Sequence, residues 1–211
     1  MNPLLKSSAT PLRHARVLLL AVLAASLLGG CGAIVAQNPA GNLRPVNAIA
    51  DGDDQRVLLN GADVVSYFVD GKHQQGQPQF SSRYEEVTFR FASAEHKALF
   101  DREPTKYLPQ YGGYCANGIA YGIPWGGDAD RWKMIDGKLY IFGGQASQEA
   151  FELDEKANLA LAEKYWNEEV KGSNSFLQRS KRLLFRVPHY QSGEELARAV
   201  ARNKAATDGA R

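Results

Sequence analysis

The cleanest pattern in the chain is Val87-Thr88-Phe89-Arg90-Phe91, where apolar and polar residues alternate so that Val87, Phe89 and Phe91 share a face. A period of two over five residues predicts a half-buried strand. The runs 132–135 and 138–142 flank Asp136-Gly137, and two such runs joined by Asp-Gly predict a β-hairpin. Val64-Val65-Ser66-Tyr67-Phe68 is rich in β-formers, stops at the Asp70-Gly71 turn, and predicts a further strand. Elsewhere the period is helical. Ser93 is placed to cap a short helix from 94 to about 101, and Pro104 opens another helical turn through Tyr107. Residues 147–170 predict one long helix, with Ala157, Ala160, Leu161 and Tyr165 on one face, broken by Gly172-Ser173-Asn174-Ser175. Residues 176–187 mix Leu183, Leu184 and Phe185 with Arg179, Lys181, Arg182 and Arg186, and Pro188 ends them. Ser192 and Glu195 form a capping-box pattern that predicts a last helix, fraying from about Lys204. The expected fold class is α+β: a small domain over 57–170 with an antiparallel hairpin and short helices, then a C-terminal helical extension over 171–211.

The pattern is different before residue 57. Lys6, Arg13 and Arg16 are the only ionised side chains ahead of Cys31, and an apolar run covers 17–28. That run is shorter than the roughly 20 residues an ordinary membrane-spanning helix needs. A basic start, a short apolar run and small residues before a cut describe a secretory signal. The stretch Leu28-Gly29-Gly30-Cys31 resembles the bacterial lipobox, in which the cysteine thiol is diacylated and the chain is cut just before it. Residues 1–30 are therefore expected to be a lipoprotein signal peptide, with Cys31 as the lipidated residue holding the protein to the bilayer. Gly32 stands where an Asp would resemble an inner-membrane retention signal, which favours the outer membrane, facing the periplasm. Residues 31–56 contain Gly, Pro, Asn, Asp and Ala without a sustained period and read as the lipidated Cys with a flexible tether.

Loss of the signal removes three basic residues and no acidic one, leaving 22 Lys and Arg against 23 Asp and Glu, a net charge of −1. A nucleic-acid binder would need a basic stripe, so that class is set aside. Two cysteines occur in all. With Cys31 acylated, Cys115 has no partner for a disulfide and is a lone thiol in an oxidising compartment, either a reactive group or a small packed hydrophobe.

An ordered set of motifs runs through the middle of the chain. It comprises Gly61-Ala62-Asp63-Val64-Val65-Ser66-Tyr67-Phe68, then 84–91, Ala92-Ser93-Ala94-Glu95, Phe100 and Pro104-Thr105-Lys106-Tyr107. Tyr111-Gly112-Gly113-Tyr114-Cys115-Ala116, Trp132 and Asp136-Gly137-Lys138-Leu139-Tyr140 close the series. In that order they resemble the YHS-domain family, in its subgroup of exported proteins, over roughly 57–170. The resemblance implies a YHS-type domain associated with copper or another soft metal. Other branches carry two cysteines after the central strand. Here those positions are Ala92 and His96, and Val64 stands where the subgroup has a Pro. The metal role therefore falls to other donors. Thiolate and imidazole suit a soft metal, and the candidates are Cys115, His96 and His73, with one monovalent copper as the expected ion. Tyr111 and Tyr114, beside Cys115, are candidate binding residues, although aromatics more often supply core area. No Ser-His-Asp order, His-Glu-x-x-His or Cys-x-x-Cys is present, so a non-enzyme is expected. The leading reading is a metal-binding or metal-sequestering lipoprotein of the cell envelope; the alternative is a non-metal interaction module with an envelope protein as partner.

Overall fold

The computed structural model describes residues 45–209, so the expected signal peptide, Cys31 and most of the expected tether lie outside the described residues. Four strands form one sheet: β1 (Ala48–Asp51), β2 (Asp54–Leu58), β3 (Gln77–Tyr84) and β4 (Val87–Phe91). Their order is β1-β2-β4-β3, with β2 parallel to β4 and the other pairs antiparallel. The alternation in β4 buries Val87, Phe89 and Phe91, so the strand is central and half-buried as its sequence predicts. The hairpin also forms, from β5 (Asp128–Ile135) and β6 (Lys138–Phe142). Asp136 and Gly137 both have positive φ, at 50° and 72°, as a tight two-residue turn with right-handed strand twist requires.

Helices surround the two sheets. They are α1 (Ser66–Val69), α2 (Ala94–Arg102), α3 (Pro104–Tyr107), α4 (Ala116–Ala120), α5 (Gln145–Glu152), α6 (Glu155–Tyr165), α7 (Ser175–Leu184) and α8 (Gly193–Asp208). Ser93 caps α2 through His96 N, and Ser192 with Glu195 forms the full capping box of α8. Among the described residues no helix is long and apolar enough to cross a membrane.

Four expectations need correction. Residues 64–68 are not a strand. The Asp63 carboxylate accepts from Val65 N and Ser66 N and turns the chain into α1, which overrides the β preference of the two valines. The long helix over 147–170 is split, because Asp154 leaves the helical conformation to cap α6 through Ala157 N, and its last turn, Trp166–Val170, widens to π geometry. The folded part starts before Val57, with Val46 and Ala48 buried in the main core. The last helix continues past Lys204 to Asp208, where the Lys204 ammonium meets Glu149 of α5 at 2.8 Å.

The main core joins β1, β2 and β4 to α2, α3 and the inner face of β6. Phe89, Phe91 and Phe100 meet there with ring centroids 4.5 and 5.1 Å apart on either side of Phe100. A second core lies between α4, β6, α5 and α6. A third, of Tyr121, Ile123, Tyr165 and Val187, fastens the C-terminal extension to the domain.

Candidate functional site

Asp63 is fully buried, and its carboxylate ties three elements together. Oδ1 accepts from Val65 N at 2.8 Å and Ser66 N at 3.3 Å. Oδ2 accepts from Ala92 N at 2.7 Å and from His96 Nδ1 at 2.6 Å. The other ring nitrogen of His96 lies 3.5 Å from Asp70 Oδ2. His96 is thus held between two carboxylates, where it joins α2 to the turn before α1. His73 sits elsewhere, with Nδ1 2.7 Å from Asp130 Oδ1 and its ring stacked on Tyr67. Its Nε2 is buried with no hydrogen-bond partner among the described residues. Burial raises the Tyr67 hydroxyl above its ordinary value, as do the charges of Asp130, Asp63 and Asp128, so it stays a donor, to Ala129 O at 2.8 Å.

Cys115 occupies a third place. A parallel bridge to Ile141 and a bond from its N–H to Trp125 O fix its backbone beside β6. It is the N-cap of α4, with Sγ accepting from Gly118 N at 3.4 Å and facing Ser147 Oγ at 3.0 Å. Glycine is required at 118, because a Cβ there would stand 2.7 Å from Ile123 O. The thiol opens on a cleft of about 380 Å³ whose walls include Tyr121, Trp125, Tyr190 and Leu196. The first turns of three helices meet at this cleft: Asn117 of α4, Ala146 and Ser147 of α5, and Gly193 of α8. Helix starts present backbone N–H groups with no intrahelical partner. Asn117 is mostly buried, and its side chain lines the cleft. No Asp, Glu, Lys, Arg or His lines the cleft.

The predicted donors are therefore not gathered into one site. Cys115 faces Ser147, His96 faces Asp63 and Asp70, and His73 faces Asp130. Among the described residues no group of three or more His, Cys, Asp or Glu is arranged to hold a metal ion. The polar neighbour of the thiol is a hydroxyl, and both nitrogens of His96 face carboxylates. Tyr111 and Tyr114 are core residues and do not line the cleft. Tyr111 packs edge-on against Tyr140 and tilted against Trp166, and the Tyr114 hydroxyl donates to Val46 O at 3.0 Å. Sequence reasoning missed Asn117, Ser147 and the wall supplied by residues 190–197, since nothing local in the sequence links those three segments. Asp63 was visible only as one member of the Gly61-Ala62-Asp63 motif. No family model, curated protein or solved structure matches the chain.

Proposed function

We propose that the protein is a lipid-anchored lipoprotein of the cell envelope whose YHS-type domain binds a small organic molecule in the cleft over Cys115. The molecule has an apolar or aromatic body and a carbonyl or carboxylate end. The observation that carries this reading is a cleft of about 380 Å³ with aromatic walls, into which Asn117, Ser147 and the Cys115 thiol bring polar groups. A ligand oxygen that accepts from the Asn117 amide gains a hydrogen bond where little water competes. The volume falls in the range of about 300–1,000 Å³ usual for small-molecule sites. The aromatic walls suit an apolar body, while Ser147, Asn117 and the starts of α5 and α8 supply donors for an acceptor oxygen. The anchor rests on the lipobox-like stretch that ends at Cys31.

Calorimetric titration with a panel of aryl and alkyl carboxylates tests the site. At least one member should bind saturably at one per chain, and Asn117→Leu should weaken it about tenfold, the loss of one hydrogen bond in a buried site. A panel without a binder, or equal affinity in Asn117→Leu, contradicts the reading.

A further inference from the structure

The surface of α7 is unlike the rest of the molecule. Leu183, Leu184 and Phe185 are 74, 75 and 69% exposed at its C-terminal end, and Phe176 and Leu177 are 51 and 64% exposed at its start. Between Gly172 and Gly193 the chain carries four Lys or Arg and no Asp or Glu. Arg179, Arg182 and Arg186 line one groove of about 320 Å³ together with Ile123, Trp125, Phe176 and Leu183. One acid offsets these charges: Glu169 takes the Lys181 ammonium at 2.9 Å and the Arg182 guanidinium. Arg182 also stands over the Tyr165 ring, and its Nε is buried without a partner. Arg186 lies 4.4 Å from the centroid of Tyr190. The groove is thus lined by apolar and cationic side chains together.

We propose that α7 and its exposed tip dock on an anionic phospholipid bilayer. Leu183, Leu184 and Phe185 enter the acyl boundary, and lipid phosphates sit among the three arginines. A basic helix with a bulky apolar side is the pattern of interfacial membrane binding. The occupant also follows from the length of chain outside the described residues, and here the proposal rests on the reading of Cys31 as the lipid anchor. The fourteen residue steps from Cys31 to Pro45 reach at most about 50 Å. A domain of this size is about 40 Å across, so the tether holds every face within reach of the membrane. An exposed apolar surface with basic neighbours then meets the bilayer before anything else. A single lipidated residue is reinforced by such a second contact, which also fixes how the domain stands on the membrane.

The test uses the chain from Gly32 onward, without acyl groups. The three apolar cores lie wholly within residues 46–200, so this chain keeps its fold. Sedimentation with vesicles of phosphatidylcholine and phosphatidylglycerol (3:1) is compared with pure phosphatidylcholine. The wild type should partition onto the anionic vesicles at least tenfold better, since each basic residue near the surface is worth about fivefold. Leu183→Asp with Leu184→Asp should lose that binding without a change in melting temperature, because both side chains are exposed. No partition onto anionic vesicles, equal partition onto neutral ones, or unchanged binding by the double variant overturns the proposal. Palmitate labelling of the full chain reports on Cys31 separately, so failure of the anchor and failure of the docking surface give different results.

Discussion

Asp63 is a buried carboxylate on which three elements converge, so its replacement is expected to be costly. Asp63→Ala removes one fully buried carboxylate and leaves four donors facing a void: Val65 N, Ser66 N, Ala92 N and His96 Nδ1. Hydrogen bonds to an ionised acceptor are stronger than neutral ones, and buried donors left unpaired keep their full desolvation cost. Loss of one partner from a buried charged network costs about 3–5 kcal/mol. For a domain of this size each kcal/mol moves the melting temperature by about 2–4 °C, so the expected fall is about 6–20 °C. Asp63→Asn keeps the shape and one acceptor oxygen and should cost less. Asp70→Asn is the control, since Asp70 is partly exposed and 3.5 Å from the ring; it should cost under about 1 kcal/mol. Thermal unfolding followed by circular dichroism measures all three. Asp63→Ala melting within about 2 °C of wild type, or no worse than Asp70→Asn, would refute the assignment of Asp63 as the joint between α1, β4 and α2.

Other outcomes follow from the same reasoning. Gly112 has φ +61° and a Cβ there would meet Pro45 O at 2.5 Å, whereas Gly71 has φ +63° and open space around it. Gly112→Ala should therefore unfold in markedly less urea than Gly71→Ala, which carries only the backbone strain of about 1 kcal/mol. Burial opposes ionisation of Glu169, but bonds from Lys181 and Gln178 and the charges of Arg182 and Lys181 outweigh it and hold the carboxyl below its ordinary range. A lowered folded value contributes stability that is present above the ordinary carboxylate pKa and is lost as pH falls through the lowered one. Acid unfolding below about pH 4 should consequently begin earlier in wild type than its neutral-pH stability alone implies, and Glu169→Gln should flatten that dependence. Cys31→Ala should abolish palmitate incorporation and release the protein from the membrane pellet; a wild type that takes up no palmitate rejects the anchor. In competition with a copper chelator under reducing conditions, wild type and Cys115→Ser should hold equally little monovalent copper. One equivalent kept by wild type and lost in Cys115→Ser would restore the metal reading.

Local rules carried the elements whose partners are near in sequence. The alternation in Val87–Phe91, the Asp136-Gly137 turn, the Ser93 cap and the Ser192–Glu195 box each operate within a few residues, and each formed as expected. Residues 64–68 misled because their conformation is decided by a carboxylate whose second oxygen holds Ala92 and His96, about thirty positions away. The break at Asp154 is a competition between helix continuation and capping that composition alone leaves open. Candidate site residues fared unevenly for the same reason. Cys115 was identifiable as a lone thiol, but its neighbours Ser147 and Leu196 come from helices 32 and 81 positions further on. The histidines were identifiable as residue types, while their carboxylate partners depend on tertiary packing: Asp130 of the hairpin for His73, and Asp63 and Asp70 on either side of α1 for His96.

Protection of the Cys115 thiol tests occupancy of the cleft most directly. Sγ lines the cleft beside Ser147, so alkylation by N-ethylmaleimide, followed by mass spectrometry, reports on whether the space is open or filled. Carboxylates with an apolar body should slow alkylation saturably in wild type. Ala146→Trp, at an exposed position of the wall, should slow it without any ligand and remove the dependence on ligand concentration. Alkylation that no such molecule slows, or that proceeds equally fast in Ala146→Trp, would contradict a binding cleft over Cys115.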